Sequence, residues 1–348
     1  MAQIKAMLVK GRAVRVKKSD GQKAKNELKA LGLFDEKRVI RSDGEYVYVP
    51  VKGEGVPEKY KLVESELEKR EERKGFRELL IERFGEENAK GVLSSYDVVG
   101  DIAIVQIPEK LREHEKEVGE LLLRGDKKIN AVWKKAGGRT GDFRVTKLTH
   151  LAGEEKSETE YVENGVRMKL DVRKVYFSPR LSHERKRIME EVGEGENVLV
   201  LFAGVGPFAL EIGKKQSSAK VVGVELNPDA VKYFGENIKL NKLKNVEVVL
   251  GDAREAAKGK FRGWADRIVM PLPMGAEEFL GAAFSAAKPG CIVHFYRMVE
   301  REGGIDALEE KIEKDAENAG RNIEFVFEKE VRPYSASTKQ VVVDFRVF

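Results

Sequence analysis

The 348-residue chain contains one cysteine and four histidines. A lone Cys291 cannot close an internal disulfide, and with so few histidines no spacing of zinc ligands appears, so no metal centre is expected. In CIVHFY, Cys291 reads as a small hydrophobe of a buried strand. No apolar run approaches the ~20 residues that span a bilayer. The basic start MAQIKAMLVKGRAVRVKK is not followed by the apolar core of a signal peptide. These absences exclude membrane and secretory classes and make a cytoplasmic protein the expectation. There is no G-x-x-x-x-G-K-[ST] loop, so no triphosphate cradle of that kind is expected.

Charge is abundant instead, at 35% of residues against 41% hydrophobic, a soluble globular composition. At ~100–200 residues per domain the length allows two or three domains. The net charge of +5 is unevenly spread. Residues 1–30 carry nine Lys/Arg against two acids, and residues 124–147 carry eight against two, which leaves the remainder net acidic. Two basic segments on an otherwise acidic chain suit contact with a polyanion, although solvated surface charge reads equally well from charge alone.

Residues 1–60 read as a small α+β domain. A helix spans 24–33 and ends at Leu31-Gly32, EYVYVPV alternates as a strand, and Gly53, Gly55 and Pro57 mark a break. KLVESELEKREERKGFRELLIERF reads as a charge-dense solvated helix and linker. Residues 61–155 read as a second α+β domain. SYDVVGDIAIVQIP gives strand, glycine turn and strand, and Leu111, Val118, Leu121 and Leu122 share one face of an amphipathic helix over 109–124. The second basic segment and the glycine-rich GGRTGDFRV follow. Residues 156–348 open on a hairpin whose Asn164-Gly165 turn is a strong local signal. Strands and helices then alternate, which predicts an open, doubly wound α/β sheet with an antiparallel pair of strands at its end.

The motifs that carry chemistry lie in this last region. In VLVLFAGVGPFAL an apolar strand ends in Gly204-Val205-Gly206 and runs into a helix, so the backbone can approach a ligand there. Glu225 ends the next strand, 19 residues beyond Gly206, where an acid can take the hydroxyls of a nucleoside ribose. Asp252, in Gly251-Asp252-Ala253, ends the third strand and can accept from an adenine amino group. Either acid could equally cap a helix; the three elements together favour a nucleoside cofactor. Pro271-Leu272-Pro273 ends the fourth strand as a stiff loop poor in backbone donors. In KVYFSPRLSHERKRIMEEV, Ser182 is placed to cap a helix with Glu184 and Arg185 in its first turn. Arg180 and Glu184 there read either as dipole compensation or as catalytic groups.

These residues, with FRVTKLTHLAGE, SYDVVGDIAIVQIP, FAGVGPF, NIKLNKL and the closing PYS, resemble the archaeal and eukaryotic tRNA guanosine-37 N1-methyltransferases of the Met-10-like group over nearly the whole chain. The resemblance implies a class I, Rossmann-like methyltransferase domain preceded by two small α+β domains that contact tRNA. It also implies S-adenosyl-L-methionine as cofactor, tRNA as partner and a monomer. It implies Glu184 as the base that removes the proton of guanine N1, and Arg144 as the cation facing O6. Arg185, Phe202, Gly204, Glu225, Leu226, Asp252, Ala253 and Pro271 fall at cofactor-contact positions. Tyr176, Pro179, Arg180 and Pro273 fall at positions for the target nucleotide.

Two positions depart from the pattern. The acid usual on the first strand is Val200, and the Asn-Leu-Pro motif reads Pro271-Leu272-Pro273, without the amide and without a backbone N–H. Three other readings follow. One is wyosine-pathway chemistry at the same nucleotide, by methyl or aminocarboxypropyl transfer. The second is a tRNA-binding homologue without activity. The third is a dehydrogenase, which would leave the two basic segments unexplained.

Overall fold

The structure is a computed structural model that describes residues 8–69, 74–93, 96–140, 143 and 145–348. The chain divides into two compact units, Met1–Lys74 and Gly75–Phe348.

In the first unit, strands β1 (Leu8–Lys17), β2 (Arg41–Ser42), β3 (Tyr46–Pro50) and β4 (Lys61–Glu68) form an antiparallel sheet in the order β2-β3-β1-β4. Helix α1 (Gly21–Ala30) supplies Ala24 and Leu28 to a small core with Val14, Phe34, Val49 and Val51. The helix expected from residue 61 is therefore corrected at its start. Val63, Ser65 and Leu67 alternate with Glu64, Glu66 and Glu68, a period-two pattern hidden by the charge density, and Leu67 is fully buried. Because β4 pairs with β1 along eight residues, it belongs with the residues before it and not to a domain beginning at 61.

The second unit opens with α2 (Phe76–Phe84) and α3 (Glu86–Leu93), then β5 (Asp97–Val99), β6 (Ile102–Val105), α4 (Glu115–Gly125), β7 (Ala131–Thr140) and β8 (Val145–Gly153). The four strands form a sheet in the order β5-β6-β7-β8. Leu111, Val118, Leu121 and Leu122 are buried as their spacing predicts, although the first six residues, Glu109–His114, form a 3-10 helix. The hairpin of β9 (Glu158–Glu163) and β10 (Val166–Asp171) turns at Asn164 (φ 46°) and Gly165 (φ 78°), the two left-handed positions that a tight hairpin turn requires.

The remainder runs α5 (Ser182–Glu191), β11 (Asn197–Leu201), α6 (Pro207–Lys215), β12 (Lys220–Glu225), α7 (Pro228–Leu240), β13 (Val246–Leu250), α8 (Ala253–Lys258), β14 (Ala265–Met270), α9 (Leu280–Ala286), β15 (Ala287–Glu300), α10 (Gly304–Asn318), β16 (Ile323–Pro333) and β17 (Thr338–Val347). Its seven-stranded sheet has the order β13-β12-β11-β14-β15-β17-β16, parallel through β15 and antiparallel at β17 and β16. The order reverses between β11 and β14, which opens a crevice at the carboxyl ends of those strands. Apolar clusters cover both faces of the sheet, as its continuous Val/Ile/Leu runs require.

The expected border near residue 155 has a core of its own on each side, with Phe76, Leu80, Val118 and Leu122 packed before it and the two clusters of the seven-stranded sheet after it, and one further cluster spans it. Val99, Ile102, Ala131 and Trp133 pack in one cluster with Leu170, Val172, Val205 and Tyr233. Hydrophobic periodicity tells which face of an element is buried, not which element covers it. No described helix is long and apolar enough to cross a membrane.

Candidate active site

The crevice above β11 and β14 holds a cavity of about 540 Å³, within the range of small-molecule sites, ~300–1,000 Å³. Its floor is the turn after β11. Phe202 sits at φ 57°, in the left-handed region that a bulky residue rarely adopts; such strain costs about 1–3 kcal/mol and concentrates at ligand sites. Gly204 (φ 57°) has open space where a side chain would stand, with only the Tyr176 carbonyl oxygen 3.6 Å from an added Cβ. Gly206 (φ 93°) is pinned differently, since an added Cβ would lie 2.3 Å from the ring of Phe234. One glycine thus leaves room for a ligand and the other lets α6 pack on α7.

Glu225 is presented at the end of β12. Its Oε2 accepts from Gly204 N at 2.7 Å and its Oε1 accepts from Asn227 N at 2.8 Å. Each oxygen keeps a second lone pair directed away from the backbone, so the carboxylate is both fixed and able to accept from a vicinal diol. Asn227 caps α7, accepting from Asp229 N at 3.0 Å, and donates to the Lys174 carbonyl at 2.9 Å. Asp252 caps α8, accepting from Arg254 N at 2.7 Å, and also pairs with the Arg254 guanidinium at 2.7 Å. The hydrogen bond from Arg254 holds the Asp252 carboxyl below its usual range. Asp252 thus caps a helix as one of its two readings expects, whereas α7 is capped by Asn227 and not by Glu225. Leu226, 43% exposed, and Ala253 give apolar surface between them for a flat ring.

The far wall is Pro271-Leu272-Pro273. The Pro273 carbonyl accepts from Met298 N at 2.8 Å, which fixes the loop. Val200 lies in the apolar layer with Val198, Phe208 and Tyr296 and does not line the cavity.

The structure thus gathers Arg185, Phe202, Gly204, Glu225, Leu226, Asp252, Ala253 and Pro271, with Tyr176 and Pro273, around one cavity. Other expected positions lie elsewhere. Arg180 is exposed, pairs with Asp97 and lines an adjoining cavity of about 940 Å³ that shares Tyr176, Phe177 and Ser178 with the first. Pro179 lines neither. Ser182 is the first residue of α5 rather than its cap, and its side chain makes no capping bond. Glu184 is 2% exposed and does not line the cavity. Its Oε2 accepts from Tyr296 Oη at 2.9 Å and from Arg187 Nε at 3.0 Å, and Lys329 Nζ stands 3.8 Å from Oε1. Consecutive helical residues point about 100° apart, so Glu184 and Arg185 face different surroundings. Arg144 lies outside the described residues; its neighbour Phe143, 45% exposed, lines the cavity.

Phe279, Arg254 and Phe143 were not singled out from the sequence. The Phe202 and Phe279 rings meet edge to face at 4.7 Å, and Arg254 lies 4.8 Å over Phe279. Phe279 falls in a 3-10 turn without any motif, so nothing local marks it.

The residues fit a nucleoside cofactor without phosphate. A carboxylate stands ready for ribose hydroxyls, an apolar shelf lies beside Asp252, and a glycine cradle opens toward the cavity. Known proteins agree. Family models match residues 159–324 (TRM5/TYW2 methyltransferase domain), 76–156 (TYW2 N-terminal domain) and 13–57 (tRNA methyltransferase 5 N-terminal domain). A tRNA (guanine(37)-N(1))-methyltransferase Trm5b of Pyrococcus abyssi is 38% identical over 337 residues, which is 96% of this chain and 98% of that one. The chain belongs to the TRM5/TYW2 methyltransferase family. Within that family, the aTrm5 chain solved in complex with tRNALeu matches with a TM-score of 0.72 at 32% identity, covering 96% of this chain and 99% of its own. A tRNA(Phe) (4-demethylwyosine(37)-C(7)) aminocarboxypropyltransferase of Methanocaldococcus jannaschii is 32% identical over 249 residues, 72% of this chain and 96% of its own.

Proposed function

We propose that this chain methylates N1 of guanosine 37 in tRNA with S-adenosyl-L-methionine as methyl donor. The observation that carries the reading is the end-to-end match to the Pyrococcus abyssi Trm5b, 96% of this chain against 98% of that one. The aminocarboxypropyltransferase accounts for 72% of the chain and leaves more than a quarter of it without a counterpart.

The cofactor supplies a methyl group on a sulfonium, which needs no metal. When the cofactor binds, Glu225 would orient the ribose, Leu226 and Ala253 would flank the adenine, Asp252 would accept from its amino group, and Phe202, Gly204 and Pro271 would close the sides. Tyr176 and Pro273 border the space left for the target base. Leaving its stack costs that base a few kcal/mol, less in a loop than in a duplex.

N1 of neutral guanine carries a proton, so a base must take it before N1 can attack. Glu184 is the base in this reading and Arg144 the cation that meets charge developing on O6. The Glu184 carboxylate is turned to Tyr296 and Arg187, and the role requires that it face the cavity in the RNA complex. Catalytic hydrogen bonds commonly tighten only in the substrate complex. The basic segments at 1–30 and 124–147 are assigned to the tRNA backbone.

The experiment is methyl transfer from labelled cofactor to unmodified tRNA, with the product located by primer extension. A stop at guanosine 37, lost when that base is adenine, supports the reading. Transfer of the aminocarboxypropyl chain, or activity only on a wyosine intermediate, replaces it.

A further inference from the structure

Beside Phe177, Ser178 and Leu181 of the cavity lining lies a closed charged cluster that the proposed chemistry leaves unused. Arg185, on α5, is 1% exposed. Its Nε and one terminal nitrogen donate to the two carboxylate oxygens of Glu163, at the end of β9, at 2.5 and 2.8 Å. The other terminal nitrogen donates to the Ser178 carbonyl at 3.1 Å, and the guanidinium lies 5.4 Å from the centre of the Phe177 ring. Arg185 therefore borders the cavity with each of its three side-chain nitrogens already bonded to protein.

A second carboxyl enters from the opposite side. Glu211, on α6, is fully buried; its Oε2 accepts from Asn164 Nδ2 at 2.8 Å and its Oε1 stands 3.5 Å from Arg185 Nε. That Oε1 has no hydrogen-bond partner. Two carboxylates around one guanidinium would leave an uncompensated negative charge in the interior, which costs several kcal/mol. A proton on Glu211 removes the excess charge and turns the orphan oxygen into a donor beside Glu163.

We infer that Glu211 is held neutral, that Glu163 and Glu211 are positioning residues which lock Arg185, and that Arg185, itself at a cofactor-contact position, fixes through the Ser178 carbonyl the Phe177–Ser178 part of the cavity lining beside it. Burial, then the hydrogen bond with Glu163, pushes the Glu211 carboxyl up to about 8. Burial raises Glu163 too, but the hydrogen bonds with Arg185, Glu211 and Tyr161 and the charge of Arg185 together outweigh it and hold Glu163 below its usual range. The titratable and charged groups facing Glu211 are Glu163 and Tyr161 from β9 and Arg185 from α5; Asn164, in the turn, is neutral. As pH rises through about 8, Glu211 ionises beside Glu163 and the lock loosens. The sign for folding is the same. Between the ordinary 4.5 and about 8 the folded chain holds a proton that the unfolded chain releases, so this group's contribution to stability falls as pH rises across that window.

The test uses the full chain and no RNA, so its outcome is independent of which nucleotide is modified. The affinity for S-adenosylhomocysteine, the demethylated cofactor, is measured by calorimetry from pH 6.5 to pH 9.5, with thermal unfolding over the same range. Wild type should lose up to roughly thirtyfold in affinity between the ends, since one coupled proton gives at most tenfold per pH unit over the one and a half units above about 8. Glu211→Gln, neutral at every pH, should match wild type at pH 7 and lose clearly less at pH 9.5. Its stability should also fall less with pH than that of wild type. Glu163→Gln should weaken binding at pH 7, because it removes the charge that holds Arg185. Parallel pH profiles for wild type and Glu211→Gln would overturn the inference. So would a Glu211→Gln variant that binds several-fold more weakly at pH 7, which would mean that Glu211 works as an anion. Should Glu163→Gln fail to fold, the Glu211→Gln comparison decides alone.

Discussion

Glu225→Ala removes the group on which the cofactor reading rests most heavily, and its cost can be worked out in two parts. In the free protein the carboxylate receives the Gly204 and Asn227 backbone N–H groups at 2.7 and 2.8 Å. Hydrogen bonds to a charged acceptor contribute about 1.5–3 kcal/mol each, but water reaches this half-buried position and replaces part of that. A stability loss of about 1–3 kcal/mol is expected. In the complex the variant also lacks the acceptors for two ribose hydroxyls. Two charge-assisted bonds that are not fully additive come to about 2–4 kcal/mol, or roughly 30- to 900-fold in affinity. Calorimetry with S-adenosylhomocysteine reads the second part, and urea unfolding of the free protein reads the first. Glu225→Gln, which keeps one acceptor, should fall between. A folded Glu225→Ala protein that binds within twofold of wild type would refute the placement of the ribose, and with it the reading of the cavity.

Three further outcomes follow. Gly206→Ala joins a strained φ of 93° to a Cβ 2.3 Å from Phe234, and should cost about 2–4 kcal/mol in urea unfolding; a loss below about 1 kcal/mol would mean that α6 and α7 part easily. Glu184→Gln should slow single-turnover methyl transfer by about 10²- to 10⁴-fold while cofactor affinity stays within about twofold. An unchanged rate would leave Glu184 as no more than a buried partner of Tyr296 and Arg187. Tyr296→Phe removes the phenol that donates to Glu184 at 2.9 Å and should cost about 1–2 kcal/mol of stability, read by urea unfolding; no loss would show that Arg187 satisfies the carboxylate alone.

Much of the α/β sheet was legible because its signals are local. Apolar runs ending in glycine or an acid, the Asn164-Gly165 turn and the spacing of Gly206 and Glu225 each depend on a few consecutive residues. The cavity's floor came with them, since strand ends at a switch point converge whatever covers the sheet. The first unit was harder. In β4, Glu64, Glu66 and Glu68 make the segment look like a solvated helix, although Val63, Ser65 and Leu67 keep the strand period on the inner face. The shared core of Trp133 with Val205 and Tyr233 was not legible at all, because no local pattern names the partner of an apolar face. Among the site residues, Phe279 and Glu211 gave no sign. One sits in an unremarkable turn. The other reads as an ordinary helix acid in PFALEIGKK until burial shows it at 0% exposure beside Glu163 and Arg185. Glu184 shows the opposite case: its motif is conspicuous, yet its side chain faces Tyr296 rather than the cavity.

The central claim is tested most directly by single-turnover methyl transfer from labelled S-adenosylmethionine to an unmodified tRNA with guanosine at position 37, followed by primer extension. The account predicts a strong stop at that guanosine and no transfer when it is replaced by adenosine. Tight tRNA binding without transfer, or a product that carries the aminocarboxypropyl chain, would contradict it.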